Sequence, residues 1–175
     1  MLLQCPDPSD IDVSLPLAHP EANWAAHRPV LLDFGRSVDT RLYPDGTQFT
    51  SSVMADDFEC LEMREGRPWT FQLDSFAAAA CAYFLLHSEY MELQMTTDGW
   101  RPKGQLRRYW QMDMWSNFFA VSLNVPQGGP QPDLTRLADA MSECIDSLPQ
   151  RQKLRQAMQS QHAMLREAGL LRHKL

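Results

Sequence analysis

The chain has 175 residues, 44% of them hydrophobic and 22% charged, with a net charge of −6. That is enough apolar content for one globular domain with a sizeable core, which excludes a disordered tail, and the acidic balance argues against a general nucleic-acid binder. The longest apolar run, 76–86 (FAAAACAYFLL), has 11 residues against the roughly 20 that span a bilayer, so it reads as a core helix and not a membrane crossing.

Residues 1–4 (MLLQ) are apolar but too few for an independent strand. The segment 5–28 is rich in proline and acid and lacks periodicity, so it reads as a loop inserted between two strands. Val30, Leu31 and Leu32 then form a short apolar run of the kind that makes a fully buried strand. Asp33, Phe34 and Gly35 follow it: a carboxylate suited to a metal, a bulky wedge to pack beneath it, and a glycine free to take positive φ. A strand followed by an ordinary turn fits the same three residues.

Beyond them, Pro44, Asp45 and Gly46 signal a turn between Leu42-Tyr43 and Phe49. Residues 50–63 are small and polar, anchored by Phe58, Leu61 and Met63, and Gly66 and Pro68 break the chain before Trp69. Asp74 precedes the apolar run and is expected to cap the helix by accepting a backbone N–H. Because that helix has no polar face, it should be central and covered on several sides. Its apolar content continues through Tyr90 and Leu93 until Asp98-Gly99, and 101–108 (RPKGQLRR) reads as a basic connector.

The spacing of Met112, Trp115, Phe118, Phe119 and Leu123 predicts a helix over 112–123, stopped by Asn124 and Pro126. Asp133 should cap a further helix with Leu134, Leu137, Met141, Ile145 and Leu148 on one face, ended or bent by Pro149. A last helix is predicted over 150–168, closed by Gly169. The terminal segment 150–175 carries a local +5, so the other 149 residues carry −11. Such a helix suits an acidic partner or the acidic body of its own domain, and an ordinary solvated face suits it equally. The pattern as a whole is mainly α, with a few short strands before residue 50 and four or five helices around the 76–86 run.

Cys5, Cys60, Cys81 and Cys144 lie far apart with no CxxC pair, and the five histidines form no ligand pair. Free thiols in a reducing compartment are expected, with no disulfide framework and no secretory signal.

In sequence order these pieces are similar to the C-terminal lobe of a protein kinase, and several blocks resemble one family. LLDFGRSVDTRLYPDGTQFT, FECLEM, RPWTFQLDSFAAAACAYFLL and MWSNFFAVSLNVP resemble the mitotic checkpoint serine/threonine kinases named "budding uninhibited by benzimidazoles", in order and at similar spacing from about Val30 to Pro126. The resemblance implies a mainly α, kinase-like C-lobe with no N-lobe. It implies one partial kinase domain over 1–175, beginning just after the catalytic loop, with 5–28 as a loop insertion and 150–175 as a basic terminal helix.

It further implies ATP-dependent phosphoryl transfer to serine or threonine in the complete protein. Asp33 would hold Mg²⁺ and so contact ATP, with Phe34 and Gly35 beside it. Glu62 and Asp74 would be structural anchors, Glu62 at the end of the activation segment and Asp74 at the start of the central helix. Checkpoint and kinetochore proteins are the implied partners, in the nucleus and at the kinetochore, with no direct nucleic acid and no membrane.

The Gly-rich loop, the Lys/Glu pair and the catalytic loop that a kinase needs are absent from these residues, so no catalytic residue is assigned and the chain alone is expected to be inactive and not to bind ATP. Asp56 and Asp57 stand where a phosphorylatable residue is expected, and they imitate a permanently charged segment or are simply solvated loop carboxylates. A non-catalytic helical interaction module derived from a kinase lobe is the alternative function.

Overall fold

The structure is a computed structural model that describes residues 2–4, 12, 15, 20–22, 28–32, 34–51, 59–129, 131–148 and 151–169. Contacts along the chain divide it into two units, Met1–Gly35 with Ala138–Leu175, and Arg36–Leu137.

In the first unit, strands β1 (Leu2–Gln4) and β2 (Arg28–Val30) pair antiparallel, Leu2 opposite Val30 and Gln4 opposite Arg28. Pairing gives three-residue strands the partner that neither has alone. Pro29 stands opposite Leu3 and donates nothing to the ladder, which a two-stranded ribbon tolerates. The expected buried strand at Val30 to Leu32 is corrected here. Pairing stops at Val30, and Leu31 and Leu32 are 70% and 48% exposed because no described element lies over them. This unit also holds α5 (Arg151–Glu167), closed by Gly169 at φ 68°, whose N–H donates to the Arg166 carbonyl.

The second unit carries the core. The chain enters it through a short 3₁₀ turn, Thr40–Leu42, capped by Asp39, and reverses at Pro44 to Thr47 around Gly46 at φ 80°. The turn falls where its residues predicted it. Phe49 then exchanges both backbone hydrogen bonds with Trp69, at 2.9 and 2.8 Å, and so ties the extended chain to the segment that opens the main helix. A single-turn helix, α1 (Leu61–Arg64), lies between them, buried at Leu61, Glu62 and Met63.

Helix α2 (Gln72–His87) is the long apolar run. Its buried residues, Gln72, Ser75, Phe76, Ala79 and Tyr83, follow helical spacing and make one stripe. The expectation of cover on several sides is corrected. Asp74, Ala78, Cys81, Phe84 and Leu85 are exposed, Leu85 to 78%, because among the described residues α3 (Met112–Leu123) is the main helix packed on α2.

The start of α2 is a second correction. The Gln72 side-chain oxygen accepts from the backbone N–H of Thr70 at 2.7 Å and from its hydroxyl at 3.0 Å. This local loop closure begins the helix at Gln72, so Asp74 sits inside the first turn, where its charge faces the positive end of the helix dipole, and does not cap it. At the other end Ser88 adopts the left-handed conformation (φ 58°), and its N–H closes on Phe84.

Beyond Ser88 the chain makes a β-hairpin, β3 (Leu93–Thr96) and β4 (Gly99–Pro102), with Met95 opposite Trp100. The expected apolar continuation to Asp98-Gly99 and the connector over 101–108 are corrected by these strands. Thr97 and Asp98 instead make the hairpin turn and Gly99 opens β4 opposite Thr96, with the Thr96 hydroxyl donating to the Gly99 carbonyl at 2.8 Å. Helix α3 occupies the predicted residues, and its Phe119 and Leu123 join Phe76, Ala79, Tyr83 and Trp69 in the core. Helix α4 (Leu134–Asp146) is capped as predicted, the Asp133 carboxylate accepting from the Arg136 N–H at 2.9 Å.

Candidate functional site

Asp33, the residue on which the metal reading rests, lies outside the described residues, as do Asp56 and Asp57. Phe34 and Gly35 open a 3₁₀ turn, Phe34–Arg36. Phe34 is 67% exposed, so it is not packed as a wedge beneath anything. Gly35 is not among the glycines at positive φ, because the 3₁₀ turn asks only for ordinary helical dihedrals. Val38, Leu42 and Tyr43, further along the chain, are exposed as well.

The described residues do not by themselves fit a Mg–nucleotide site. No group of three or more His, Cys, Asp or Glu among them could hold a metal, and the side chain expected to support the metal-binding carboxylate stands in solvent.

Glu62 is placed differently. It is 7% exposed on α1 and packs where Gln72 and Phe76 of α2 meet Ser122, Leu123 and Val125 at the end of α3. Its charge is answered by Arg67, whose Nη2 lies 3.7 Å from Oε1 and whose backbone N–H donates to the Glu62 carbonyl at 2.7 Å. The same guanidinium is held through Nε by Glu65 at 2.6 Å, so Gly66 and Arg67 fold the chain back over α1. Cys60 precedes Glu62 and is fully buried. Burial pushes its thiol up from 9.0 to about 11, and the neighbouring Glu62 carboxylate adds to the rise. Such a thiol is inert at neutral pH.

Asp74 and Glu62 thus lie against the same helix in different surroundings. Glu62 is buried beside Gln72 and Phe76, whereas the Asp74 side chain is exposed.

Sequence reasoning missed a polar clamp at the far end of α3. Asn124 accepts from the Trp100 N–H at 2.7 Å and donates to the carbonyls of Trp100 at 3.0 Å and Ala120 at 2.9 Å. One side chain thereby joins the hairpin to the last turn of α3. Gly99, at φ 109°, makes room for it, since a Cβ there would collide with the Asn124 carboxamide. The Asp-Gly pair was the signal in the sequence, and nothing local to Asn124 distinguishes a clamp from a helix stop. Gly104 is a second close approach, under the Tyr83 hydroxyl and beside the His87 ring, which stacks on Tyr83 at 4.2 Å.

No family model matches the chain. It is similar to the mitotic checkpoint serine/threonine-protein kinase BUB1 of Mus musculus, 37% identical over 116 residues, which is 66% of this chain and 11% of the relative. With BUB1 of Arabidopsis thaliana it shares 33% over 137 residues, 75% of this chain and 26% of the relative. Among solved structures it matches the BubR1 kinase domain with a TM-score of 0.64 at 36% identity, covering 75% of this chain and 39% of that one. The chain therefore spans a minor part of the length of each relative. No helix among the described residues is long and apolar enough to cross a membrane. Matched in sequence by BUB1 from mouse and plant, and in three dimensions by a kinase domain, the chain belongs to the BUB1 family of mitotic checkpoint kinases and has the fold of a kinase C-terminal lobe.

Proposed function

We propose that this chain serves as the C-lobe portion of a spindle-checkpoint serine/threonine kinase, active in phosphoryl transfer only in the complete protein. The observation that carries the reading is the three-dimensional match to the BubR1 kinase domain over 75% of the chain at 36% identity. The exposed apolar side chains of Leu31, Leu32 and Phe34 support it, since such a surface is what a lobe presents to the rest of its domain. In that complete protein ATP and Mg²⁺ supply the transferred phosphoryl group and its charge neutralisation. Asp33 is the residue of this chain that would meet the metal, Gly35 lies beside it, and Phe34 becomes covered. Glu62 and Asp74 hold the lobe's end of the activation segment and its central helix in place. The partners are checkpoint and kinetochore proteins, and the working location is the nucleus and the kinetochore.

The test is a chimera in which this chain replaces the matching residues of mouse BUB1, assayed for phosphoryl transfer beside the 175-residue chain alone. The chimera is expected to transfer phosphate and the chain alone is not. Asp33→Asn in the chimera should cost roughly 10²-fold or more, the usual scale for losing an electrostatic group at the reacting phosphate. A chimera whose Asp33→Asn variant keeps full activity would sink the assignment of Asp33.

A further inference from the structure

At the junction of α1, α2 and α3, several polar groups converge without satisfying one another. The Ser122 hydroxyl is buried, on a residue 3% exposed, and has no hydrogen-bond partner among the described residues. The Glu62 carboxylate is buried and takes the Cys60 thiol as a hydrogen-bond partner, while its nearest cation stands at 3.7 Å, longer than a direct charge-assisted hydrogen bond. The Gln72 carboxamide spends its oxygen on Thr70, while its nitrogen reaches the Pro126 carbonyl only at 3.5 Å. All three line one small pocket with Leu61, Phe76, Leu123 and Val125, in which the space open to the centre of a water molecule is about 10 Å³. That is the size of a single water and too small for any organic ligand, and it has two to three polar walls.

We propose that this cavity is a binding site for one structural water, held by Ser122 Oγ, the Glu62 carboxylate and Gln72 Nε2. The chemistry selects water. An apolar filling would leave the Ser122 hydroxyl dry beside a carboxylate, and burying a hydroxyl without a partner is costly. Water can donate to the carboxylate while exchanging a hydrogen bond with the serine, and it accepts from the carboxamide. The consequence is a fixed joint: α1, a four-residue helix too short to be stable alone, is pinned through Glu62 to both long helices of its unit.

The experiment is ¹⁷O magnetic relaxation dispersion on the full 175-residue chain and on its Ser122→Ala variant, counting long-lived internal waters. The expected result is one fewer in the variant, with a lowered thermal midpoint. An unchanged count overturns the proposal. A raised midpoint with an unchanged count would identify a dry cavity, from which Ser122→Ala merely removes an unpaired hydroxyl. Should the variant not fold, the wild-type chain decides by NMR. A cross-peak of long-lived sign between water and the Leu123 amide supports the site, and its absence overturns it.

Discussion

Replacing Asn124 by alanine removes three hydrogen bonds at once, to Trp100 N–H, Trp100 C=O and Ala120 C=O, at 2.7, 3.0 and 2.9 Å. Each such bond is worth about 0.5–1.5 kcal/mol net, and the clamp is exposed enough for water to replace part of it, so a cost of about 1–2 kcal/mol is expected. A two-stranded hairpin is barely stable without tertiary support, so the loss should fall first on β3 and β4. Amide hydrogen exchange at Trp100 and Arg101 is expected to quicken by roughly 5–30-fold, the same free energy expressed as local opening.

Gly99→Ala offers a sharper test of the same geometry. In the parent chain its new Cβ collides with the Asn124 carboxamide at a backbone φ of 109°, so both strain and collision apply. In the Asn124→Ala background the collision disappears and the φ strain stays. The two substitutions should therefore cost less together than separately, with a coupling of roughly 0.5–3 kcal/mol in a double-mutant cycle of urea midpoints. Strict additivity, or a Trp100 amide that exchanges no faster in Asn124→Ala, would refute the clamp.

Other expectations follow from the same core. Gly104→Ala places a methyl under the Tyr83 hydroxyl and 3.2 Å from His87 Cε1, and should lower stability by about 1–3 kcal/mol in urea unfolding. Glu62→Ala leaves Arg67 without its buried partner and hollows out the α1 junction, so a loss of about 2–4 kcal/mol is expected; a loss below about 0.5 kcal/mol would show that the carboxylate is idle. The Cys60 thiol, raised from 9.0 to about 11 by burial, is protonated in both states below pH 9, so its contribution is constant there. Between pH 9 and about 11 the unfolded thiol ionises first and stability falls, and Cys60→Ala should flatten that part of an alkaline stability profile. At pH 8 a thiol reagent should modify exposed Cys81 quickly and Cys60 only at the rate of unfolding; rapid labelling of both would contradict the burial.

Legibility varied with the range of the interactions involved. Helix α3 was read at its observed ends because its aromatic spacing and its stop are local. The Asp133 cap and the Pro44–Thr47 turn were also legible, each made by side chain and backbone within three residues. Asp74 is not the cap because Thr70 and Gln72, four and two residues before it, already close the helix start. The hairpin was missed because apolar residues after Tyr90 were counted as a continuing helix, although Asp98-Gly99 between them carried a turn signal. Of the candidate site, the wording around Asp-Phe-Gly identified the family, while the exposed Phe34 and the non-left-handed Gly35 were not visible in it.

By itself the sequence determined the helical class, the family and the residue types at the candidate site, because these depend on periodicity, short-range hydrogen bonding and the order of blocks. Only the tertiary structure decided which face of α2 is covered, that Glu62 is buried against Gln72 and Ser122 while Asp74 is not, and that Asn124 clasps Trp100. An apolar helix carries no mark of which side a neighbour will take. That choice is made by elements twenty to sixty residues away, through burial and hydrogen bonds that exist only once the chain has packed.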